Sequence, residues 1–184
     1  MRLFSVIGSL AIAVSISTTV HAQASPSAAA SNSTANVLKA ADITPAVFPD
    51  RVFYRGKTAS TQMRNTAGVH FPDDAYFLAG LVDTGGYSSA IAEKYQAYLL
   101  SEATLEIGGE ELKPGAYGVG FVSGNFIVTD IGGHDLLRVP ANRDMDMKRP
   151  VPLQVVPGAG ADSFRLYHGR DFVEFRRGSK GNGG

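Results

Sequence analysis

The sequence predicts an all-β fold, mainly an antiparallel sandwich or a partly closed barrel, with at most one short helix near residues 88–94. Turn signals recur at short intervals along the chain: FPDD, TGG, GGEE, KPG, SGN, GG, PGAG and HGRD. The runs between these signals are apolar, or alternate between apolar and polar residues. Short runs separated by closely spaced turns are typical of antiparallel sandwiches and barrels.

Each run between two turn signals is predicted to form one strand. In SFRLYH, Phe164 and Leu166 fall on one face and Arg165 on the other, and this run meets DFVEFRR through Gly169 as a hairpin. The predicted strands are 58–65, 66–71, 76–83, 95–101, 103–107, 110–113, 116–122, 125–131, 134–139, 151–156, 163–168 and 171–176.

One short helix is predicted after the TGG turn. Ser88 is a candidate N-cap for SAIAEKY, and Ile91 and Tyr95 lie four residues apart, which places them on one helical face.

The first 22 residues have the pattern of a secretory signal peptide. Arg2 precedes an apolar run, and small residues lead up to Ala22. The apolar run is shorter than the ~20 residues that a membrane-spanning helix needs. We therefore expect cleavage between Ala22 and Gln23, a secreted or periplasmic location, and no membrane span after the signal is removed. The chain has no cysteine, which excludes disulfides and a lipid anchor on cysteine.

Composition divides the remaining chain into three parts. Residues 23–46 are rich in Ala, Ser and Asn and are predicted to be a flexible leader. Residues 47–177 are predicted to form a single β domain, which is long enough to bury a core. Residues 178–184 are predicted to be a disordered tail.

The charge balance gives no indication of a nucleic-acid partner. Loss of Arg2 with the signal leaves 16 basic residues, one fewer than the 17 of the full chain, against 17 acidic residues. A near-neutral domain lacks the basic surface that binds nucleic acid or anionic membranes.

Gly118, Gly120 and Gly124 form a spacing close to a dinucleotide-binding fingerprint. That motif requires a helix directly after the glycines, so that helix N–H groups bind the pyrophosphate. Here the β-branched run NFIVT follows instead. We expect no cofactor, and we interpret the alternate glycines as one bare face of a strand onto which another backbone or an aromatic ring packs.

No metal site is predicted either. The histidines of the mature chain, His70, His134 and His168, are far apart in sequence and lack the short spacings of zinc ligands. Each has a carboxylate nearby in sequence: Asp73, Asp135 and Asp171 respectively. Asp144 and Asp146 form a D-x-D, but a calcium loop needs further oxygen ligands.

A serine nucleophile is not predicted. The stretch GYSSA, residues 86–90, is close to the nucleophile elbow G-x-S-x-G, but Ala90 replaces the second glycine. The alternating helices of an α/β-hydrolase are also missing from the pattern.

The stretch LVDTGGYSS contains Asp83, Thr84 and Gly85 directly after an apolar strand. It resembles the catalytic loop of retropepsin-like aspartic proteases. The resemblance implies a dimer in which Asp83 of each subunit shares a proton with its counterpart and activates water. The other interpretation is a strand end, where Asp83 and Thr84 accept hydrogen bonds within a turn.

A longer resemblance covers most of the domain, residues 94–137, 148–156 and 164–175, and includes LKPGAYGVGF at residues 112–121. The pattern L-x-P-G-x-Y-x-x-G-F resembles a group of uncharacterised secreted bacterial β-domain proteins. It implies a hairpin and brings no activity with it.

The sequence therefore predicts a non-enzymatic envelope or extracellular module that binds a protein or polymer partner, with no assigned catalytic residue. The alternative is a dimeric protease that uses Asp83, Thr84 and Gly85. A third hypothesis is a sugar-binding sandwich, for which exposed tyrosine rings would serve as stacking platforms. The candidate rings are Tyr87, Tyr98, Tyr117 and Tyr167.

Overall fold

A computed structural model of the chain describes residues 34–160 and 162–178. These residues form two antiparallel β-sheets and one short helix. The all-β prediction is therefore confirmed, and the division into two sheets matches its sandwich form. The predicted signal peptide, residues 1–22, and residues 23–33 of the predicted leader lie outside the described residues, as does most of the predicted tail.

The larger sheet has eight strands. Seven follow the order β1–β3–β4–β5–β8–β9–β10, and β2 pairs with β3 beside this path. The bounds are β1 Asn36–Lys39, β2 Arg51–Tyr54, β3 Lys57–His70, β4 Tyr76–Val82, β5 Ala97–Ser101, β8 Gly115–Val122, β9 Asn125–Thr129 and β10 Asp135–Pro140. Helix α1, Ser89–Lys94, connects β4 to β5.

The smaller sheet has six strands. Five follow the order β12–β13–β14–β6–β7, and β11 pairs with β14. The bounds are β6 Leu105–Ile107, β7 Glu110–Leu112, β11 Asn142–Arg143, β12 Leu153–Pro157, β13 Ser163–His168 and β14 Asp171–Arg177. The predicted hairpin through Gly169 is confirmed, because His168 pairs with Asp171 across it.

Apolar side chains from both sheets form the main core between them. The rings of Phe77 on β4 and Phe175 on β14 stack with centroids 4.2 Å apart. Both belong to one cluster of buried residues that draws on the inward faces of the two sheets. Burial of these faces is the expected main source of stability, because the chain has no disulfide.

A second core covers the other face of the larger sheet. Phe48, Val52, Tyr54 and Tyr95 pack there against Leu78, and all five side chains are buried. They come from the segment before β3 and from the end of α1. Strand β4 is thus covered on both faces, which explains why its sequence YFLAGLV is apolar throughout instead of alternating.

Glycines make this second layer possible. A Cβ on Gly118 would lie 2.6 Å from a ring carbon of Tyr54, and one on Gly120 would lie 2.6 Å from the carbonyl oxygen of Glu93 in α1. A Cβ on Gly80 would lie 2.7 Å from a ring carbon of Phe48. This is the close approach of rings and backbone that the alternate glycines predict.

The structure corrects the predicted boundaries in three places. Strand β1, Asn36–Lys39, lies inside the segment 23–46 that the sequence predicts to be a flexible leader, and it pairs with residues 67–70 of β3. Strands β2 and β11 are not predicted from the sequence. The two strands predicted at 58–65 and 66–71 are one long strand, whose pairing with β4 shifts register between Thr61 and Thr66.

The predicted helix is confirmed, with Ser88 at the N-cap position. The Ser88 side chain makes no capping hydrogen bond; its backbone carbonyl accepts the N–H groups of Ile91 and Ala92. Within the described residues, the helical structure is too short to cross a membrane.

Alanine in place of Gly118 or Gly120 is expected to destabilise the protein by about 1–3 kcal/mol, because the added methyl would push an aromatic ring or the end of α1 off the sheet. The free energy of unfolding is measured in urea. Gly86→Ala is the matched control, since no atom lies within 4 Å of the position a Cβ would take there. Equal stabilities for all three variants would contradict the close packing.

Candidate functional site

An apolar groove lies on the face of the larger sheet that carries the second core. The strand register places Leu38, Gly68, Leu78, Leu100 and Ala116 in one row across β1, β3, β4, β5 and β8. We call the cavity above part of this row the sheet groove. Its volume is about 550 Å³, within the range of small-ligand sites. Its lining residues are Ala46, Val47, Tyr76, Leu78, Leu100, Ser101, Glu102, Gly115 and Ala116.

The side chains of Phe48, Val52, Tyr54 and Tyr95 cover only part of this face, and we call them the covering layer. The groove lies where this layer ends. The adjacent row runs from Gly80 through Tyr98 to Gly118, and Phe48, Tyr54 and Tyr95 lie on it. Leu100 and Ala116, one row away, are only partly buried. The segment 44–48 contributes Ala46 and Val47 as one side of the groove, and Val47 remains 39% exposed.

Local contacts hold the side of the groove that Tyr76 and Glu102 form. The ring of Tyr76 stacks on His70 with centroids 4.3 Å apart and an angle of 6° between the planes. His70 Nε2 lies 2.8 Å from Asp74 Oδ1, which holds the imidazole in place. Glu102 Oε2 accepts the backbone N–H of Tyr76 at 3.0 Å. The groove is therefore formed before any ligand enters, which reduces the entropy cost of binding.

The chemistry of the lining is simple. Most of the lining is aliphatic, aromatic or small side chains, and the Ser101 hydroxyl is occupied because it donates to the carbonyl of Ala103 at 2.7 Å. Glu102 supplies the charge of the lining, in which Lys, Arg and His are absent. Such a surface is suited to apolar groups, with one carboxylate at its edge.

A cluster of tyrosines lies beside the groove, formed by Tyr54 and Tyr95 of the covering layer and the neighbouring Tyr87. The Tyr54 hydroxyl donates to Thr129 Oγ1 at 2.8 Å, because the one hydroxyl hydrogen of Thr129 is donated to the carbonyl of Gly118. The Tyr95 ring stacks on Tyr54 with centroids 3.8 Å apart. The Tyr87 hydroxyl donates to the carbonyl of Tyr54 at 3.0 Å. Burial raises the pKa of Tyr95 and of Tyr87 above the ordinary 10.0, so these hydroxyls stay neutral.

Asp83 lies at the end of β4, and its side chain is exposed. Its Oδ1 accepts the backbone N–H of Gly85 at 3.0 Å, and its own N–H donates to the carbonyl of Ser60. Thr84 accepts the N–H of Tyr87 through its backbone carbonyl. This is the geometry of the strand-end interpretation, in which the carboxylate closes a turn.

Two histidines pair with carboxylates other than Asp73 and Asp135, the nearest ones in sequence. His70 contacts Asp74, whereas Asp73 pairs with Arg177. His134 Nδ1 lies 2.9 Å from Asp130 Oδ2, whose pKa is lowered chiefly by the hydrogen bond from the His134 backbone. Asp135 pairs instead with Lys94 and Arg138.

His168 is partly buried at the edge of the main core, near the ring of Phe121. Burial lowers its pKa, and the nearby charge of Asp171 offsets only part of that effect. Within residues 34–160 and 162–178, no three His, Asp or Glu side chains lie together as a metal-binding group.

Asp144 and Asp146 do not share a site. Asp144 Oδ1 accepts the N–H groups of Asp146 and Met147, and its Oδ2 accepts the Tyr167 hydroxyl at 3.2 Å. The D-x-D motif is thus a turn tied to β13.

The tyrosines expected as sugar-stacking platforms are turned into the fold. Tyr98, Tyr117 and Tyr167 are buried, and Tyr87 is partly buried against the second core. The exposed ring face that sugar stacking requires is therefore missing at these positions. Sequence reasoning passed over Tyr76, which lines the groove, because its position relative to Leu100 and Ala116 depends on strand pairing.

Removal of the Tyr54 hydroxyl and removal of the Tyr95 hydroxyl are expected to change the free energy of unfolding differently. Tyr54→Phe deletes a buried hydrogen bond and is expected to cost about 1 kcal/mol. Tyr95→Phe deletes a buried hydroxyl that has no partner among the described residues, so stability is expected to stay equal or rise. Urea unfolding of the two variants measures the difference. A loss in Tyr95→Phe as large as in Tyr54→Phe would mean that the Tyr95 hydroxyl is bonded in solution.

Comparison with known proteins finds no matching family model, no matching curated protein and no matching solved structure. The resemblances to retropepsin-like proteases and to secreted β-domain proteins therefore stay predictions. The candidate functional site rests on the geometry of the sheet groove.

Proposed function

We propose that the protein is an exported, non-enzymatic binding module that holds an apolar segment of a partner protein in the sheet groove. The observation that carries the proposal is the groove itself: an apolar cavity of about 550 Å³, one side of which is fixed by the contacts of Tyr76 with His70 and Glu102. An apolar side chain of a partner gains free energy by leaving water there, about 25 cal/mol for each Å² that is buried.

A protein segment is favoured over a sugar polymer because most side chains that line the groove are apolar. Sugars need many hydrogen-bonding groups and exposed aromatic faces, and this groove offers Leu78, Leu100 and Ala116 instead. The Asp83 turn gives the protease alternative no support, because its carboxylate is exposed and bonded within its own loop. Export is part of the proposal, and its basis is the signal-peptide pattern of residues 1–22.

The groove is tested by selection of a displayed library of random peptides on the immobilised mature protein. We expect enrichment of peptides with aliphatic side chains, and at least a tenfold weaker affinity of these peptides for Ala116→Trp, whose indole would fill the groove. Affinity is measured by isothermal titration calorimetry.

Ala90→Trp is the matched control, because Ala90 is exposed on α1 and outside the groove lining. Leu100→Gln is a second variant in case the indole disturbs folding, and circular dichroism checks the fold of each. Peptides that bind all variants equally, or a selection without enrichment, would contradict the proposed function.

Export is tested by expression of the full chain in a Gram-negative bacterial host. We expect the protein in the periplasmic extract with Gln23 as its first residue, as measured by intact mass and N-terminal sequencing. A bulky residue in Ala22→Phe should block cleavage there, and also cleavage after Ala24, because residue 22 is the −3 position of that second site. Full-length protein that starts at Met1 and stays in the cytoplasm would contradict export.

A further inference from the structure

The carboxylate of Glu102 is held at the edge of the sheet groove by the backbone of the neighbouring strand. Glu102 donates its N–H to the carbonyl of Tyr76 at 2.9 Å, and its Oε2 accepts the N–H of Tyr76 at 3.0 Å. The side chain thus takes the place of a backbone carbonyl at the end of the β4–β5 pairing. The backbone hydrogen bond fixes the position of Glu102 beside Tyr76, and the hydrogen bond to Oε2 fixes the direction of the carboxylate.

This charge is not neutralised within the described residues. Glu106 and Glu174 in the smaller sheet bind Arg176 and Arg165, respectively, whereas Glu102 forms no ion pair with any residue of 34–160 and 162–178. The hydrogen bonds described for its side chain engage Oε2, which leaves Oε1 for a ligand. The groove lining provides no cation, so the negative charge faces whatever enters.

We propose that Glu102 determines the specificity of the groove and selects segments in which an apolar side chain is next to a lysine or arginine. The inference rests on the proposed function. An ammonium or guanidinium group beside the apolar anchor can reach the carboxylate, whereas an acidic residue in that place meets a like charge. Because the carboxylate is already fixed by Tyr76, the ion pair forms without a large loss of side-chain entropy on the protein side.

The test uses three six-carbon probes that differ only at one end: hexylammonium, hexan-1-ol and hexanoate. Each is titrated into the mature protein, and the amide signals of Leu100, Glu102 and Ala116 are followed by NMR. We expect hexylammonium to bind about two- to fivefold tighter than hexan-1-ol, as for an exposed ion pair, and hexanoate to bind most weakly.

Glu102→Gln keeps the oxygen that accepts the Tyr76 N–H and removes the charge. We expect this variant to bind hexan-1-ol as the wild type does and to lose the preference for hexylammonium. Glu111→Gln, an exposed carboxylate on β7 in the other sheet, is the matched control and should keep the preference.

The outcomes separate this inference from the proposed function. Equal affinities of the three probes for the wild type, or a preference that survives in Glu102→Gln, would overturn the role of Glu102 and leave the apolar groove standing. If none of the probes shifts the groove signals, both the groove and its selectivity are wrong.

Discussion

The structure depends on a close contact between aromatic rings and bare glycine positions on the larger sheet. Gly80 lies under Phe48, and Gly118 lies under Tyr54 and Tyr95. A Cβ at these positions would lie between 2.6 and 3.0 Å from atoms of the rings, so the rings would have to move outward and the second core would pack less closely. Glycine weakens a strand because it has no side chain to pack. Here the rings supply that packing from above, so the cost of each glycine is offset by a buried aromatic side chain.

The same contact determines where the groove lies. The rings and the end of α1 need bare positions, and these occur at Gly80, Gly118 and Gly120. The neighbouring row carries the larger side chains of Leu78 and Leu100 instead, and the part of it at Leu100 and Ala116 stays only partly buried. The covering layer therefore ends there, and its border becomes a groove with an aliphatic floor. The packing of the covering layer is therefore sufficient to explain where the groove lies.

The larger features of the fold are predictable because they depend on local sequence. Turn residues such as Gly169 and alternation such as Phe164 and Leu166 act within a few positions, and they give the all-β class, the hairpins and the single helix. Strand β1 is not predictable from its own sequence, because NVLK is short and lies next to a polar segment. Its partner on β3 is about thirty residues away in the chain. Pairing with an existing edge, rather than its own pattern, makes it a strand.

The candidate site was beyond sequence reasoning for a related reason. Tyr76, Leu100 and Ala116 lie on three different strands, and they meet only once the register of each pair is set. Asp83 belongs to a motif of consecutive residues that can be found in the sequence, yet its carboxylate accepts a hydrogen bond within the adjacent turn. Glu102 has no motif around it, and its position follows from two hydrogen bonds to Tyr76. A surface formed by paired strands can thus be predicted only when the strand pairing is known, whereas a catalytic loop can be predicted from consecutive residues.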